Sequence, residues 1–262
     1  MHVGVQEPPW RVVRAFTQAN GSSLVHLHNV SGGVLSGDHL ALEINVGPGS
    51  VAQVTTTGAT RLYRHRAGCA DSEQHIKIHV GEGALLEYLP DALIPYARSR
   101  HCQYTSVSLA KGATLFSWDI LAPGRQAMGE TFAFDSLRIQ TELQSAARPL
   151  LIENLVLDPV KRPLNSAARM GPYMHIANFY ACSVGLAAAQ WRELERKVND
   201  FCSAQSRPGV IIWGASALVA DGIAVRGLSL SARELPATLA AIWSIVKRFL
   251  TGEEAILPRK VY

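Results

Sequence analysis

The chain has 262 residues, 48% hydrophobic, 18% charged and 7% aromatic, a balance that excludes disorder and collagen-like repeats. A chain of this length buries roughly 70 to 75% of the surface its unfolded form exposes, so the expectation is one domain over 1–262, β-rich over 1–185 and mixed α/β over 186–262. The net charge of +4 is small and scattered, no run approaches the roughly 18 apolar residues of a membrane span, and no basic segment followed by an apolar core opens the chain. Neither nucleic acid nor membrane is therefore expected as a partner, and the expected location is cytoplasmic.

Taken in chain order, the first two thirds read as strands. His26 and His28 lie two apart, so on a strand they share a face, as His75 and His79 would on another. Neither pair has a third ligand at a recognisable spacing, so His26 and His28 are weak metal candidates beside the ordinary surface or edge reading. From His39 to Val46, Leu40, Leu42, Ile44 and Val46 fall on every second position, and Ile76, Ile78 and Val80 repeat the half-buried period. Thr131 to Leu143 alternates with a change of parity at Asp135 and Ser136, which points to a bulge or to a turn between two strands.

Aligning glycines exposes a weak internal repeat. Ile44 to Ser50, Ile78 to Ala84 and Val107 to Ala113 each run from an alternating strand through a two-residue turn to a closing glycine, then to a small residue and a second strand. The closing glycine suits a position with φ > 0. The architecture expected is mainly β: a layered sandwich or β-helix-like stack of hairpins with two α-helices in the C-terminal half. The first helix is Gln190 to Ala204, with Trp191, Leu194, Val198, Phe201 and Cys202 at helical spacing. Short strands divided by Asp221-Gly222 follow in Val210 to Ser229. A capping-box pattern, Ser231 to Glu234, then precedes a second helix with Pro236 near its start and Gly252 as its stop.

The chemistry-bearing residues are dispersed. There is no phosphate loop, no GxGxxG after a strand, no zinc-helix motif and no nucleophile elbow. Cys69, Cys102, Cys182 and Cys202 lack the spacing of a zinc site or redox pair and read as free, mostly buried thiols. Six of the basic residues are lysine and nineteen arginine, which favours fixed contacts to carboxylates and protein surfaces over a diffuse phosphate track. One cluster stands out, Arg61, Arg64, His65 and Arg66. Asp38, Glu87, Asp91, Asp119 and Glu130 each sit in apolar or glycine-rich strings, where a carboxylate is paired with arginine, bonded at a turn or lining a wet cavity.

Longer strings carry a resemblance. Gly32-Gly33-Val34-Leu35-Ser36-Gly37-Asp38-His39-Leu40, continuing through Val46-Gly47-Pro48-Gly49 to Thr55-Thr56-Thr57-Gly58-Ala59-Thr60-Arg61-Leu62-Tyr63-Arg64, resembles the N-terminal signature of the urease accessory UreD family, called UreH in some organisms. Leu86 to Tyr96, Asp119-Ile120, Gly124 to Phe132 and the Pro258-Arg259 pair also look like that family. The likeness is close over about 30–135 and loose over 235–260, with Thr57 in place of an expected glutamine and Arg61 in place of a common lysine.

The resemblance implies a non-enzymatic scaffold in nickel insertion. Such proteins bind apo-urease and a helical partner, UreF, which recruits the GTPase UreG, and an interior passage for the ion has been proposed for them. No tightly bound cofactor is implied, only transient nickel. A passage for a divalent cation needs oxygen ligands and water, so Asp38, Glu87, Asp91, Asp119 and Glu130 are its candidates. Arg61, Tyr63, Arg64 and Arg66 are candidates for partner contact, as are the exposed faces of the two late helices. Two rivals stand beside this reading: a carbohydrate-active enzyme using a carboxylate pair such as Asp119 and Glu130, and a sugar- or metal-binding module centred on His26 and His28.

Overall fold

A computed structural model describes residues 1–18, 20–146 and 148–258. Its strands are β1 (Trp10–Arg11), β2 (Ala15–Thr17), β3 (Ser23–Asn29), β4 (His39–Val46), β5 (Val51–Thr56), β6 (Thr60–Leu62), β7 (Ser72–Val80), β8 (Leu85–Tyr88), β9 (Leu93–Pro95), β10 (Arg100–Leu109), β11 (Thr114–Leu121), β12 (Ser136–Ser145), β13 (Arg148–Leu157) and β14 (His175–Ser183). A short 3-10 helix (Gln126–Met128), helix α1 (Ala188–Gln205), β15 (Ile211–Ala217), β16 (Gly222–Ser229) and helix α2 (Leu235–Thr251) complete the described elements. The class is the expected one, mainly β with two helices in the C-terminal half.

Two sheets face each other. The smaller runs β13-β12-β10-β7-β4, and the larger runs β1-β3-β5-β8-β11-β14-β16-β15, with β2 on β3 and the β6-β9 pair joined through β9 to β11. The three glycine-closed units produce this layering. Each crosses from the small sheet to the large one, as β4 to β5, β7 to β8 and β10 to β11. The units stack as a β-helix does, but they are not hairpins. β4, β7 and β10 pair with one another in parallel, and so do β5, β8 and β11. The turns stack with them: the Gly49 N–H donates to Glu82 O at 2.9 Å and the Gly83 N–H to Lys111 O at 3.0 Å. Gly49, Gly83 and Gly112 have φ of 66°, 62° and 68°, where a Cβ would be strained. Both strands of a unit bury alternate residues between the sheets, so the turn must step across the core instead of along a sheet.

The parity change near Asp135 marks the start of one strand, β12, and not a junction of two. Phe132 (φ 50°) lies in the preceding loop, which drops Phe134 fully into the core. The outer face of the large sheet is covered by the helices. Trp191, Leu194, Val198 and Cys202 of α1 and Leu239, Ile242, Trp243 and Val246 of α2 cluster with Phe116, Phe179 and Val225. The capping box is not formed: α2 begins at Leu235, Pro236 takes the first turn where its missing N–H costs nothing, and Glu234 pairs with Arg207 instead. Ser231 Oγ accepts the Arg233 N–H at 3.2 Å in a local turn. Gly252 (φ 74°) ends the helix as expected, its N–H donating to Arg248 O. Only Cys182 and Cys202 are buried; Cys102 is half-buried and Cys69 exposed, because the last two fall on an outward strand position and a loop. Among the described residues no helix is long and apolar enough to cross a membrane.

Candidate functional site

The space between the sheets is not uniformly apolar. Val46, Val54, Ile78, Val80, Val107 and Leu109 belong to one cluster near the stacked turns, and Val34, Leu40, Leu62, Leu93, Leu121 and Phe134 to another at the far end. Polar side chains meet between them. Gln74 on β7, Gln103 and Thr105 on β10 and Thr141 on β12 face Thr56, Asp91, Ser117 and Asp119 across a cavity of ≈ 50 Å³. That is room for about three to five waters. Strand register extends the polar row sideways. Thr105 stands opposite Thr141 and Thr141 opposite Glu153, while Asp119 stands opposite Asn178 and Asn178 opposite Arg226. The row reaches the surface where Arg226 Nη2 donates to Glu153 Oε2 at 2.7 Å and the Tyr180 hydroxyl donates to the same oxygen at 2.8 Å.

Two of the five carboxylates lie in this seam. Burial pushes the Asp119 carboxyl up to about 7, against the hydrogen bond it accepts from Asn178 Nδ2 at 2.9 Å; nearby Glu153 adds to the rise and Arg226 opposes it. Asp119 therefore titrates near neutrality beside a cavity with room for water. Asp91 accepts the Thr56 hydroxyl at 3.0 Å and donates its own N–H to the same Oγ1 at 2.8 Å. The turn that carries it is fixed by Trp118 Nε1, which donates to Pro90 O at 2.9 Å.

The other three lie elsewhere. Strand alternation turns Leu86 and Tyr88 toward the inter-sheet space and Glu87 toward the helices, where it pairs with Lys247 Nζ at 2.7 Å and accepts Gln53 Nε2 at 2.7 Å. Glu87 and Lys247 are 4% and 1% exposed. Burial raises the Glu87 carboxyl above its usual range although Lys247 pulls it down. Asp38 closes a surface turn by accepting the Leu35 N–H at 2.8 Å. Glu130 is gripped by Arg125, with Nε to Oε2 at 2.9 Å, and accepts the Ala97 N–H at 3.1 Å; Arg125 holds its carboxyl below the usual range. Asp119 and Glu130 are thus not assembled as the acid and base that a glycoside hydrolase needs.

Glu130 belongs to a second feature, a surface of arginine and tyrosine. Tyr63 and Tyr96 meet edge to face at 5.2 Å, and the Arg125 guanidinium lies 4.1 Å over the Tyr96 ring. Arg61, Arg64 and Arg66 are exposed around them. His26 is buried edge-on to Phe16 at 5.6 Å and His28 is half-buried opposite Arg11. His75 stacks on Tyr104 at 4.8 Å and His79 bonds Ser108 on the outer face of the small sheet. Among the described residues no group of three or more His, Cys, Asp or Glu is arranged to hold a metal ion.

Sequence reading missed Gln74, Gln103, Thr105, Thr141, Asn178 and Tyr180. The signal was present on the buried parity of each strand: Gln74 precedes Ile76 and Ile78, and Thr141 sits between Ile139 and Leu143. A polar residue breaking an inward apolar row marks a wet layer, and aligned rows mark a seam.

A two-sheet β scaffold with a polar seam between its sheets, its outer carboxylates committed to its own chain and an arginine–tyrosine face, has the layout of a binding and assembly protein. The profile of the UreD urease accessory protein family matches residues 2–262. Similar proteins include a urease accessory protein UreD of Herpetosiphon aurantiacus, 42% identical over 97% of this chain and 88% of its own. One of Marinobacter nauticus is 30% identical over 96% and 82%, and one of Dechloromonas aromatica 34% over 89% and 78%. The chain belongs to the UreD urease accessory protein family, whose members are assembly factors and not enzymes. Of the Pro258-Arg259 pair in the resemblance, Arg259 lies outside the described residues.

Proposed function

We propose that this chain is a cytoplasmic scaffold for nickel insertion into urease, that it binds apo-urease together with a UreF-like helical protein, and that a UreG-like GTPase joins through the latter. Nickel is cargo in this reading, held transiently, and no cofactor stays bound. The observation that carries the proposal is the polar seam, in which Asp91 and Asp119 share a cavity with amide and hydroxyl oxygens between two apolar clusters. Oxygen donors suit weak, reversible capture of a first-row divalent ion better than thiolates or imidazoles do. The cavity has room for only a few waters, so a cation crossing it exchanges part of its hydration shell for side-chain oxygens. Asp119, with its carboxyl pushed up to about 7, is partly protonated near neutral pH and gives up that proton as the cation arrives.

The test is co-expression of the tagged chain with apo-urease and a UreF-like partner, followed by affinity capture, native mass spectrometry and measurement of urease nickel. Both partners are expected to co-purify in defined stoichiometry. Asp91→Asn with Asp119→Asn is expected to keep the complex and to lower urease nickel content several-fold. Full nickel loading by that double variant would exclude a route through the seam, and failure to capture either partner would exclude the scaffold role.

A further inference from the structure

We infer that the face formed by Arg61, Tyr63, Arg64, Arg66, Tyr96 and Arg125 docks an acidic segment of a partner protein; the inference rests on the assembly role proposed above and names the chemistry of one contact within it. Three observations converge. The first is charge. Arg61, Arg64, Arg66 and Arg98 are exposed and, among the described residues, form no ion pair, while Arg100 and Arg125 are already matched by Asp135 and Glu130. The segments that carry these arginines are tied together through their backbones: the His65 N–H donates to Arg98 O at 2.9 Å, and Ser36 Oγ donates to Arg64 O at 3.3 Å while accepting the Arg66 N–H at 2.8 Å; Arg64 also lies close enough to Glu130 to help lower its carboxyl.

The second is rigidity at a cost. A Cβ on Gly33 would stand 2.5 Å from Tyr63 Cε2 and 2.6 Å from Arg61 O, so only glycine lets the chain pass beneath this tyrosine. Arg98 (φ 60°) and Phe132 (φ 50°) both occupy the left-handed region without being glycine, in the two loops that frame the face. Backbone strain of this kind concentrates where a surface must be pre-shaped.

The third is the ligand chemistry the face already displays. Glu130 sits on Arg125 through both carboxylate oxygens and takes a backbone N–H as well, an internal example of a glutamate bound here. Tyr63 and Tyr96 pack edge to face and Arg125 covers Tyr96, so that ring is not offered for base stacking as a nucleic-acid platform would offer it. Met128, 70% exposed on the Arg125 loop, and Leu35, 42% exposed, add the apolar contacts of a protein interface.

The full chain is titrated by fluorescence anisotropy with a labelled (Glu-Glu-Leu)4 peptide, with (Gln-Gln-Leu)4 as uncharged control and a 12-nucleotide single strand as polyanion control. The acidic peptide is expected to bind best, and Arg64→Glu with Arg66→Glu is expected to weaken it at least tenfold with an unchanged thermal midpoint. The same substitutions are expected to remove one partner from the captured complex. If charge reversal prevents folding, Arg64→Gln with Arg66→Gln gives the same readout. Equal binding by variant and wild type, no binding of the acidic peptide, or tighter binding of the oligonucleotide would each overturn the inference. A wild-type chain that binds the peptide but captures neither apo-urease nor a UreF-like protein would instead sink the assembly role alone.

Discussion

Asp119 shows how one buried side chain carries a stability cost. Its carboxyl is ordinary in the unfolded chain and pushed up to about 7 in the fold, so the folded state holds a proton that the unfolded state has lost. Stability from this group is full below about pH 4 and falls as pH rises toward 7. Asp119→Asn removes the linkage and keeps an acceptor for Asn178. Urea unfolding at pH 5 and pH 8 is expected to show a flatter pH dependence, with the variant more stable at pH 8 by about 2 kcal/mol, discounted from ~1.4 kcal/mol per pKa unit because the cavity beside it has room for water. An unchanged pH dependence would mean that water solvates Asp119 fully. The string Trp118-Asp119-Ile120 identified this residue as unusual, but its hydrogen-bond partner lies 59 residues further along the chain and no local pattern points to it.

At the scale of elements, α1 protects the edge of the larger sheet. β15 is the last strand of that sheet, and an open edge invites foreign pairing. Asn199 Oδ1 accepts the Ala215 N–H and its Nδ2 donates to Ala215 O, both at 2.9 Å. Glu195 Oε1 accepts the Ala217 N–H at 3.1 Å and Ser206 Oγ the Trp213 N–H at 2.9 Å. Asn199→Ala is expected to cost about 1–3 kcal/mol. Hydrogen exchange should speed up at Ala215 while β7 and β8 stay protected; unchanged protection at Ala215 would show that packing alone closes the edge. The helical period that buries Trp191, Leu194 and Val198 is readable because it is local. The task of Asn199 is not, since it depends on a strand that follows the helix. The unused capping box errs the same way: Glu234 has a stronger partner in Arg207 than the backbone offers.

Across the whole molecule, one buried ion pair ties the C-terminal helix to the β stack. Glu87 and Lys247 are 160 residues apart in sequence, and Gln53 links the same cluster to Ile256 O at 2.9 Å. Lys247→Met leaves a charge buried without its partner and is expected to destabilise the fold by about 3–5 kcal/mol, whereas Glu87→Leu with Lys247→Met recovers most of the loss. Chemical denaturation of the two variants and of the single Glu87→Leu variant completes the cycle. A Lys247→Met chain as stable as wild type would mean that Glu87 is neutral in the fold.

Sequence by itself determined the strand periods, the glycine turns, the two helices and the family strings, because each rests on spacing within a few residues. Tertiary structure decided the rest. It turned apparent hairpins into parallel coils, since alternation reports which face is buried and not which strand lies alongside. It also sent Asp91 and Asp119 into a seam and Glu87 to the opposite face: the 2.0-residue period sets a side, and only the pairing of distant strands sets what stands across from it.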